Sequence, residues 1–413
     1  MVVIGQIEAL CSRTVPLRYC NRSPGPVRSG GPVICSWRLA GLTDSSYGST
    51  GPGRRIPQVA QVLSRCANVG SYASVLSPRG DTSPVTARSE QRKRVLLTGG
   101  SGFIGANLTR RLIAEGHEVH LLVRPKEARW RLAGLAGQLA LHEGAVEERD
   151  LVDKIVAEVQ PQWVFHLAAY GCYSTQRDVQ AIVRTNYNGT VNLVEACLQT
   201  EFEVLVNAGT SSEYGNKDHA PPESELAEPN SHYAATKAAA TLYCRFIANK
   251  AQRRIPTLRL YSVFGPWEEP ARLVPTLLTC AMHGEYPPLV ARGTPRDYVY
   301  VDDVVEALLL AAERPTDDPG AVLNIGTGTQ TTLHELVDIV REQFHIGCAP
   351  RWGSMPQRDW DTDTWVADPR AAKETIGWKP GYDLEAGLRA FAKWMLAEPA
   401  TQSFYETHDK APS

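Results

Sequence analysis

Tyr233 and Lys237 stand four residues apart in Tyr233-Ala234-Ala235-Thr236-Lys237, which puts both side chains on one face of a helix. A phenol titrates at about 10 in water, too high for proton exchange at neutral pH. An ammonium held beside it stabilises the phenolate and brings the group toward a working range. The same spacing also suits an ordinary solvated helix face. It gains chemical meaning from Asn207-Ala208-Gly209-Thr210-Ser211-Ser212-Glu213-Tyr214-Gly215 upstream. That stretch leaves an apolar strand, so the hydroxyls of Thr210 and Ser211 belong at the carboxyl edge of a sheet, where ligands bind in α/β folds.

A second chemical element is Thr98-Gly99-Gly100-Ser101-Gly102-Phe103-Ile104-Gly105, between an apolar strand, Arg94 to Thr98, and a helix from Ala106 to Glu115. Glycines there allow a sharp turn and close approach to a pyrophosphate, whose charge the amide groups of the helix N-terminus receive. The strand-before, helix-after context makes this a dinucleotide site built by Gly99, Ser101, Gly102, Phe103, Ile104 and Gly105. The second strand, His117 to Val123, ends in Arg124-Pro125. An acid at that point would accept from the ribose hydroxyls of NAD, whereas arginine pairs with a 2′-phosphate, so Arg124 favours NADP(H) over NAD(H).

These residues need a scaffold, and the alternation of elements supplies it. Trp163 to Leu167, Val204 to Asn207, Thr257 to Tyr261 and Val322 to Ile325 repeat the apolar-strand pattern, with helical stretches between them. The expectation is an α/β fold: a Rossmann-type, doubly wound parallel sheet with a smaller C-terminal substrate-binding lobe. We assign 91–265 to the dinucleotide-binding domain and 266–400 mainly to that lobe, interleaved with the last sheet strands. Residues 401–413 read as a tail. Residues 1–90 contain no lysine, few acids and dense Pro, Gly and Ser, with no sustained period, and are predicted to be disordered. They resemble an organelle transit peptide, a natural disordered extension or a translated upstream region; the abrupt start of globular pattern at Arg92 favours the last.

Composition sets outer bounds. The 413 residues are 43% hydrophobic and 21% charged, with a net charge of −2. That excludes a fibrous or wholly disordered chain and a nucleic-acid binder acting through bulk charge. The best apolar run, Val304 to Ala312, is too short to span a membrane. The nine cysteines form no CxxC pair, which points to a reduced, cytoplasmic setting. Asp302-Asp303 opens a helix and is read as N-terminal acid rather than a metal pair. His166 is read as a packed core histidine, Trp352, Trp360, Trp365 and Trp378 as lobe packing, and Tyr170 and Tyr173 as loop residues or sugar contacts.

Taken together, the chain from about Arg92 to Met395 resembles an extended short-chain dehydrogenase/reductase of the nucleotide-sugar epimerase/dehydratase family. The resemblance rests on Thr98 to Gly105, His166-Leu167-Ala168-Ala169, Thr185-Asn186 followed by Gly189-Thr190, Tyr233/Lys237, Arg296 to Asp303, and Asn324-Ile325-Gly326. It implies a homodimer built on the helices holding Asn186 to Leu198 and Tyr233 to Ala248. It implies that Tyr233 is the acid/base, that Lys237 holds the nicotinamide ribose, and that Thr210, with Ser211 as fallback, bonds the reacting sugar oxygen. Leu167, Ala168, Ala169 and Asn186 would line the cofactor. Arg296 and Arg358 would clamp the diphosphate of a nucleotide sugar, and Arg272 would touch its base or ribose. The chain departs from the pattern in three places. Ser211 and Ser212 replace the acids that follow the dehydratase threonine, and Glu213, one strand step later, would face away. Ala145 replaces the acid that meets adenine, and Ser262 replaces an asparagine. The first reading is therefore NADPH-dependent reduction of an NDP-4-keto-6-deoxyhexose. The second is an NAD-retaining UDP-sugar 4-epimerase, and the third a non-catalytic NADP-binding sensor or scaffold.

Overall fold

Uninterrupted apolar runs form the middle of the molecule, because a strand covered by helices on both faces has no solvent side to keep polar. The computed structural model describes residues 91–125, 129–173, 175–354 and 363–408; the 1–90 segment and Arg358 lie outside them. In chain order, β1 (Arg94–Thr98) leads into α1 (Phe103–Ala114), then β2 (Glu118–Val123), β3 (Ala140–Glu143), α2 (Arg149–Val159) and β4 (Trp163–His166). A short helix, α3 (Val179–Val183), widens into a π-turn at Arg184–Asn188 before α4 (Gly189–Cys197). Next come β5 (Val204–Thr210), a 3₁₀ turn (Ser211–Tyr214), α5 (His232–Ala251), β6 (Thr257–Leu260) and β7 (Ser262–Phe264). The C-terminal part holds α6 (Leu273–Met282), β8 (Pro295–Arg296), β9 (Tyr298–Tyr300), α7 (Val301–Glu313), β10 (Val322–Ile325) and β11 (Thr331–Thr332). It ends with α8 (Leu333–Phe344), α9 (Arg370–Ile376), α10 (Leu384–Ala397) and α11 (Pro399–His408).

Seven strands make one sheet in the order β10-β6-β5-β4-β1-β2-β3, and the pairs are parallel. The order reverses at β1, so the crevice outside the carboxyl ends of β1 and β4 is the binding position of a doubly wound sheet. Register aligns Thr98 with His166, and His166 with Asn207. One face is covered by α1 and α7 through Leu108, Leu112, Val304 and Leu308. The other is covered by α2, α4 and α5 through Val152, Ile155, Leu193, Cys244 and Ile247. A third apolar cluster joins α6, α8 and α10 through Leu277, Leu336, Val340 and Phe391.

Two buried acids tie the C-terminal part together. Asp297, between β8 and β9, is fully buried. Its carboxylate accepts from Thr327 N at 2.7 Å, Thr327 Oγ1 at 2.6 Å, Gly328 N at 2.9 Å and Ala367 N at 3.0 Å. Gly326 belongs to the same knot, since a Cβ there would stand 2.6 Å from that of Ala367. Asp303 in the first turn of α7 accepts from Tyr382 N at 2.9 Å, and its carbonyl accepts from buried Trp378 at 2.8 Å. Asp303 is thus structural, and the described residues contain no cluster suited to a metal ion. The C-terminus differs from a simple tail. In α11, Tyr405 is buried and donates to Glu268 O at 2.8 Å, while Phe404 packs 4.4 Å from Trp130. Aromatic area outweighs the ordering cost of this last turn. Among the described residues, no helix is long and apolar enough to cross a membrane.

Replacing Asp297 with Ala leaves buried amides without an acceptor, and should cost about 3–5 kcal/mol in urea denaturation. A loss under about 1 kcal/mol would mean that the knot does not hold the C-terminal part together.

Candidate active site

The β1–α1 turn has the geometry of an anion cradle. Gly99 adopts a φ of +73°, and a Cβ on it would lie 2.6 Å from the Leu167 carbonyl carbon. A Cβ on Gly105 would lie 2.2 Å from Gly99 O, so the helix can start this close to the strand only through glycine. Gly102 is the N-cap of α1, with no side chain capping it and no acid in the first turn. The helix begins at Phe103, three residues before the expected Ala106, which brings Phe103, Ile104 and Gly105 into its first turn. Uncapped amides and a dipole end without a competing carboxylate fit the pyrophosphate of a dinucleotide.

Under the cradle runs a closed polar chain. His166 is fully buried; its Nδ1 is 2.7 Å from Thr98 Oγ1 and its Nε2 is 2.9 Å from Thr190 Oγ1. Thr190 donates its only hydroxyl proton to Asn186 O at 2.6 Å, so Nε2 must carry a proton and donate to Thr190. Nδ1 then accepts from Thr98, whose oxygen accepts in turn from Ala168 N at 3.3 Å. Burial, assisted by the Lys237 charge, pushes the imidazole down to about 3, so it stays neutral. The histidine packs rather than catalyses, and through Thr98 it positions the Leu167-Ala168-Ala169 wall.

Asn186 is placed differently from the cofactor contact expected of it. Its amide is fully buried and is consumed by Tyr170, accepting from N at 2.8 Å and donating to O at 2.8 Å, with a further bond to Thr236 Oγ1 at 3.0 Å. The π-turn turns Asn186 inward, where it clasps the post-β4 loop to α5. Arg124 does stand after β2, but its guanidinium donates to Thr185 Oγ1 at 3.0 Å and lies 5.8 Å from the Tyr170 ring. Neither partner is visible from sequence spacing.

The three residues expected to be catalytic, Thr210, Tyr233 and Lys237, converge. Ser231 caps α5 by accepting from Ala234 N at 3.1 Å, which puts Tyr233 in the first turn and Lys237, 3% exposed, one turn deeper. Thr210 shares a side-chain hydrogen bond with Tyr233 that favours the ionised phenol. Burial outweighs it and pushes the phenol up, with the charges of Cys172 and Glu213 acting in the same sense. Burial also pulls the Lys237 ammonium down, opposed by Glu213. The amine alone therefore does not bring the phenol into a neutral working range.

Glu213 corrects the strand argument. Ser211–Tyr214 leaves β5 as a 3₁₀ turn, so alternation of faces does not apply. Glu213 is kept from a ligand by burial: its Oε2 pairs with Arg259 Nε at 2.9 Å, and its Oε1 accepts from Thr210 N at 2.9 Å and Thr241 Oγ1 at 3.1 Å. With Thr210 Oγ1 accepting from Ser212 N at 3.2 Å, this forms a capping box. Arg259 was not singled out from the sequence, although an arginine inside the otherwise apolar Thr257-Leu258-Arg259-Leu260 was a visible anomaly.

The remaining arginines divide. Arg272, at the N-cap of α6, lies 5.7 Å from the Tyr173 ring and 4.0 Å from Glu268, and its charge reaches Tyr233. Burial pushes Glu268 up to about 8, despite the pull of Arg272 and Arg131. Arg296 donates to Pro295 O at 2.6 Å, and its Cζ lies 5.4 Å from the Trp365 ring. Ser211, Tyr261 and Trp365 line a small cavity beside it.

Residues 95–326 match the model of the NAD dependent epimerase/dehydratase family. The chain belongs to that family. It is an NAD(P)-dependent nucleotide-sugar enzyme of the extended short-chain dehydrogenase/reductase type. A probable UDP-glucuronate 4-epimerase of Rhizobium meliloti is 28% identical over 73% of this chain and 96% of its own. A dTDP-glucose 4,6-dehydratase of Streptomyces griseus is 30% identical over 73% and 93%. Among solved structures, the UDP-glucose 4-epimerase of Thermus thermophilus in complex with NAD superimposes with a TM-score of 0.64, at 30% identity, over 73% and 98%.

Two outcomes are expected. Because folding lowers the pKa of His166, the unfolded chain binds the extra proton, so its contribution is intact above 6.5 and is lost as pH falls toward about 3. A His166→Gln variant should show a shallower fall of unfolding free energy between pH 7 and 4 than the unsubstituted chain; equal slopes would contradict a neutral buried imidazole. Glu213→Ala strands the Arg259 charge and should cost about 3–5 kcal/mol, whereas Glu213→Leu with Arg259→Met should recover stability but not turnover, since Thr210 stays uncapped.

Proposed function

We propose that this chain is a 4-epimerase of a UDP-linked sugar that retains NAD through each cycle. The observation that carries this reading is the state of Glu213: the first acid after Thr210 is buried and fully engaged, so no carboxylic acid stands next to Thr210 to expel a C6 hydroxyl. The epimerase names of two of the relatives support the same side of the family.

Bound oxidised nicotinamide would supply a positive charge and an acceptor for the C4 hydrogen, which returns to the opposite face of the 4-keto sugar. The chain's own residues handle the proton and the fit. Tyr233 takes the proton of the sugar O4 as the C4–H bond breaks, and gives it back when that bond reforms on the other face. Thr210, hydrogen-bonded to Tyr233, holds the sugar oxygen in line. Lys237 would hold the nicotinamide ribose from one turn deeper, and the Gly99 to Gly105 turn would receive the pyrophosphate. Arg296 takes the substrate diphosphate as a charge-assisted contact. The choice of NAD is supported by the Thermus thermophilus epimerase, which is similar to this chain and was solved with NAD.

One observation favours a second reading. Arg124 occupies the place of the NAD-selecting acid, which suits NADPH-dependent reduction of a 4-keto-6-deoxy sugar; none of the relatives named above is such a reductase. The two separate cleanly. The purified protein should interconvert UDP-glucose or UDP-glucuronate with its 4-epimer without added cofactor, consume no NADPH, and in D₂O leave C4 and C5 free of deuterium. Deuterium at C5 would indicate dehydratase-type chemistry, and NADPH oxidation with a 4-keto sugar would indicate the reductase. Tyr233→Phe should lower turnover by about 10²–10⁴-fold with little change in UDP affinity.

A further inference from the structure

The segment between β7 and α6 is pinned carbonyl by carbonyl. Pro266 O accepts from Asn107 Nδ2 of α1 at 2.8 Å, Trp267 O from Arg131 Nε at 2.7 Å, and Glu268 O from the Tyr405 hydroxyl of α11 at 2.8 Å. Glu269 O accepts from Arg272 N at 2.9 Å, and Pro270 O from Thr276 Oγ1 of α6 at 3.0 Å. Trp267 is held at a φ of +70°, a left-handed backbone that a tryptophan keeps only where its surroundings fix it. A segment fixed in this way also fixes the direction of Glu268, and that side chain is the anomaly. Glu268 is 5% exposed and its Oε2 has no hydrogen-bond partner among the described residues, while its Oε1 lies 4.0 Å from Arg272 Nε.

A buried carboxylate without a close partner is unfavourable, so such a group takes a proton rather than stay charged. The titratable and charged groups that face it come from its own segment and from three other elements. Glu269 and Arg272 share its segment, Arg131 belongs to the 3₁₀ turn Trp130–Leu132, Tyr298 to β9 and Tyr405 to α11. Arg131 is spent on Glu269, at 2.7 Å. Burial pushes both phenols up, so they stay neutral. Burial likewise pushes Glu268 up to about 8, against the pull of Arg272, the Gly265 amide and Arg131. The carboxyl therefore titrates just above neutrality, among neighbours whose charge does not change there.

Arg272 is the neighbour that this proton controls. Its side chain is half-exposed, and its charge acts on the Tyr233 phenol and on the Cys172 thiol, so it bears on the place proposed for the sugar. The first turn of α6 holds no acid, and the helix dipole adds to the positive charge at its N-cap. With Glu268 neutral, the pair keeps the guanidinium charge; with Glu268 ionised, the pair carries none. We propose that Glu268 is a proton-controlled gate on Arg272: neutral, it leaves the guanidinium charge to the diphosphate of a nucleotide sugar, and ionised, it cancels that charge. The gate rests on the UDP-sugar reading above and adds a pH control to it. Affinity for the anion is intact below the Glu268 titration and falls as pH rises through it. Linkage makes the coupling reciprocal, so binding of the anion draws a proton onto Glu268.

The test uses the full NAD-loaded chain, its Glu268→Gln and Arg272→Gln variants, and UDP-glucose as the probe. Calorimetry at pH values of about 6.5, 8 and 9 brackets the Glu268 titration, and buffers of high and low ionisation enthalpy report the protons taken up. The parent should bind about tenfold more weakly at the highest pH than at the lowest, because only the protonated fraction is competent. It should take up a fraction of a proton near the middle pH and almost none at the lowest. Glu268→Gln should bind within about twofold of the parent at the lowest pH, hold that affinity at the highest, and take up no such proton. Arg272→Gln should bind weakly already at the lowest pH and lose little more as pH rises. An equal loss at high pH in the parent and in Glu268→Gln would place the titrating group elsewhere and overturn the gate. A parent that binds without pH dependence, or without proton uptake, would do the same, and these two readings need no variant to fold. Absence of UDP-glucose binding at every pH would overturn the UDP-sugar reading and the gate with it. A gated affinity without epimerisation would overturn the functional reading alone.

Discussion

The site is built on one buried ion pair. Glu213 and Arg259 meet at 2.9 Å with side chains 0% and 6% exposed, and every oxygen of the carboxylate is used. Such a pair adds little net stability compared with an apolar core, because desolvation consumes most of the attraction. Its effect is geometric. Once Glu213 is fixed, the amide of Thr210 is fixed, β5 must stop there, and the 3₁₀ turn must begin. Gly209 completes the arrangement, because a Cβ on it would come within 2.7 Å of Glu213 Oε1. The Thr210 hydroxyl is thus set by a carboxylate that is itself wholly buried.

Further along the sheet the same logic recurs with neutral groups. Thr98, His166, Thr190 and the Asn186 carbonyl form a chain in which each donor has one acceptor. Only a neutral imidazole closes it, and burial enforces that state. The chain runs under the Leu167-Ala168-Ala169 segment, while the Asn186 side chain clasps the Tyr170 loop to α5. The β1–α1 turn, the post-β4 loop and α5 are therefore one hydrogen-bonded frame, and the crevice between them has little freedom to change shape.

Burial also sets the acid–base character of the centre. It pushes the Tyr233 phenol up and pulls the Lys237 ammonium down, so burial penalises the charged form of each.

Much of this was legible in the chain. Gly99, Gly102 and Gly105 have a local reason to be glycine, the apolar runs at Leu96, Val164 and Val206 have a local reason to be strands, and a four-residue interval sets Tyr233 over Lys237. Local sterics, burial of apolar runs and helical period act over a few residues, so the sequence by itself determined the parallel sheet, the glycine turn between β1 and α1, and the placing of Tyr233 and Lys237 on one helix. What Arg124, Asn186 and Glu213 do depended on partners 61, 50 and 46 residues away, Thr185, Thr236 and Arg259. The meeting of Ser211, Tyr261 and Trp365 on one cavity likewise belongs to three separated segments. Side-chain direction and burial arise only when distant strands take their register, and those two quantities decide which polar groups are consumed by the fold and which remain for a ligand.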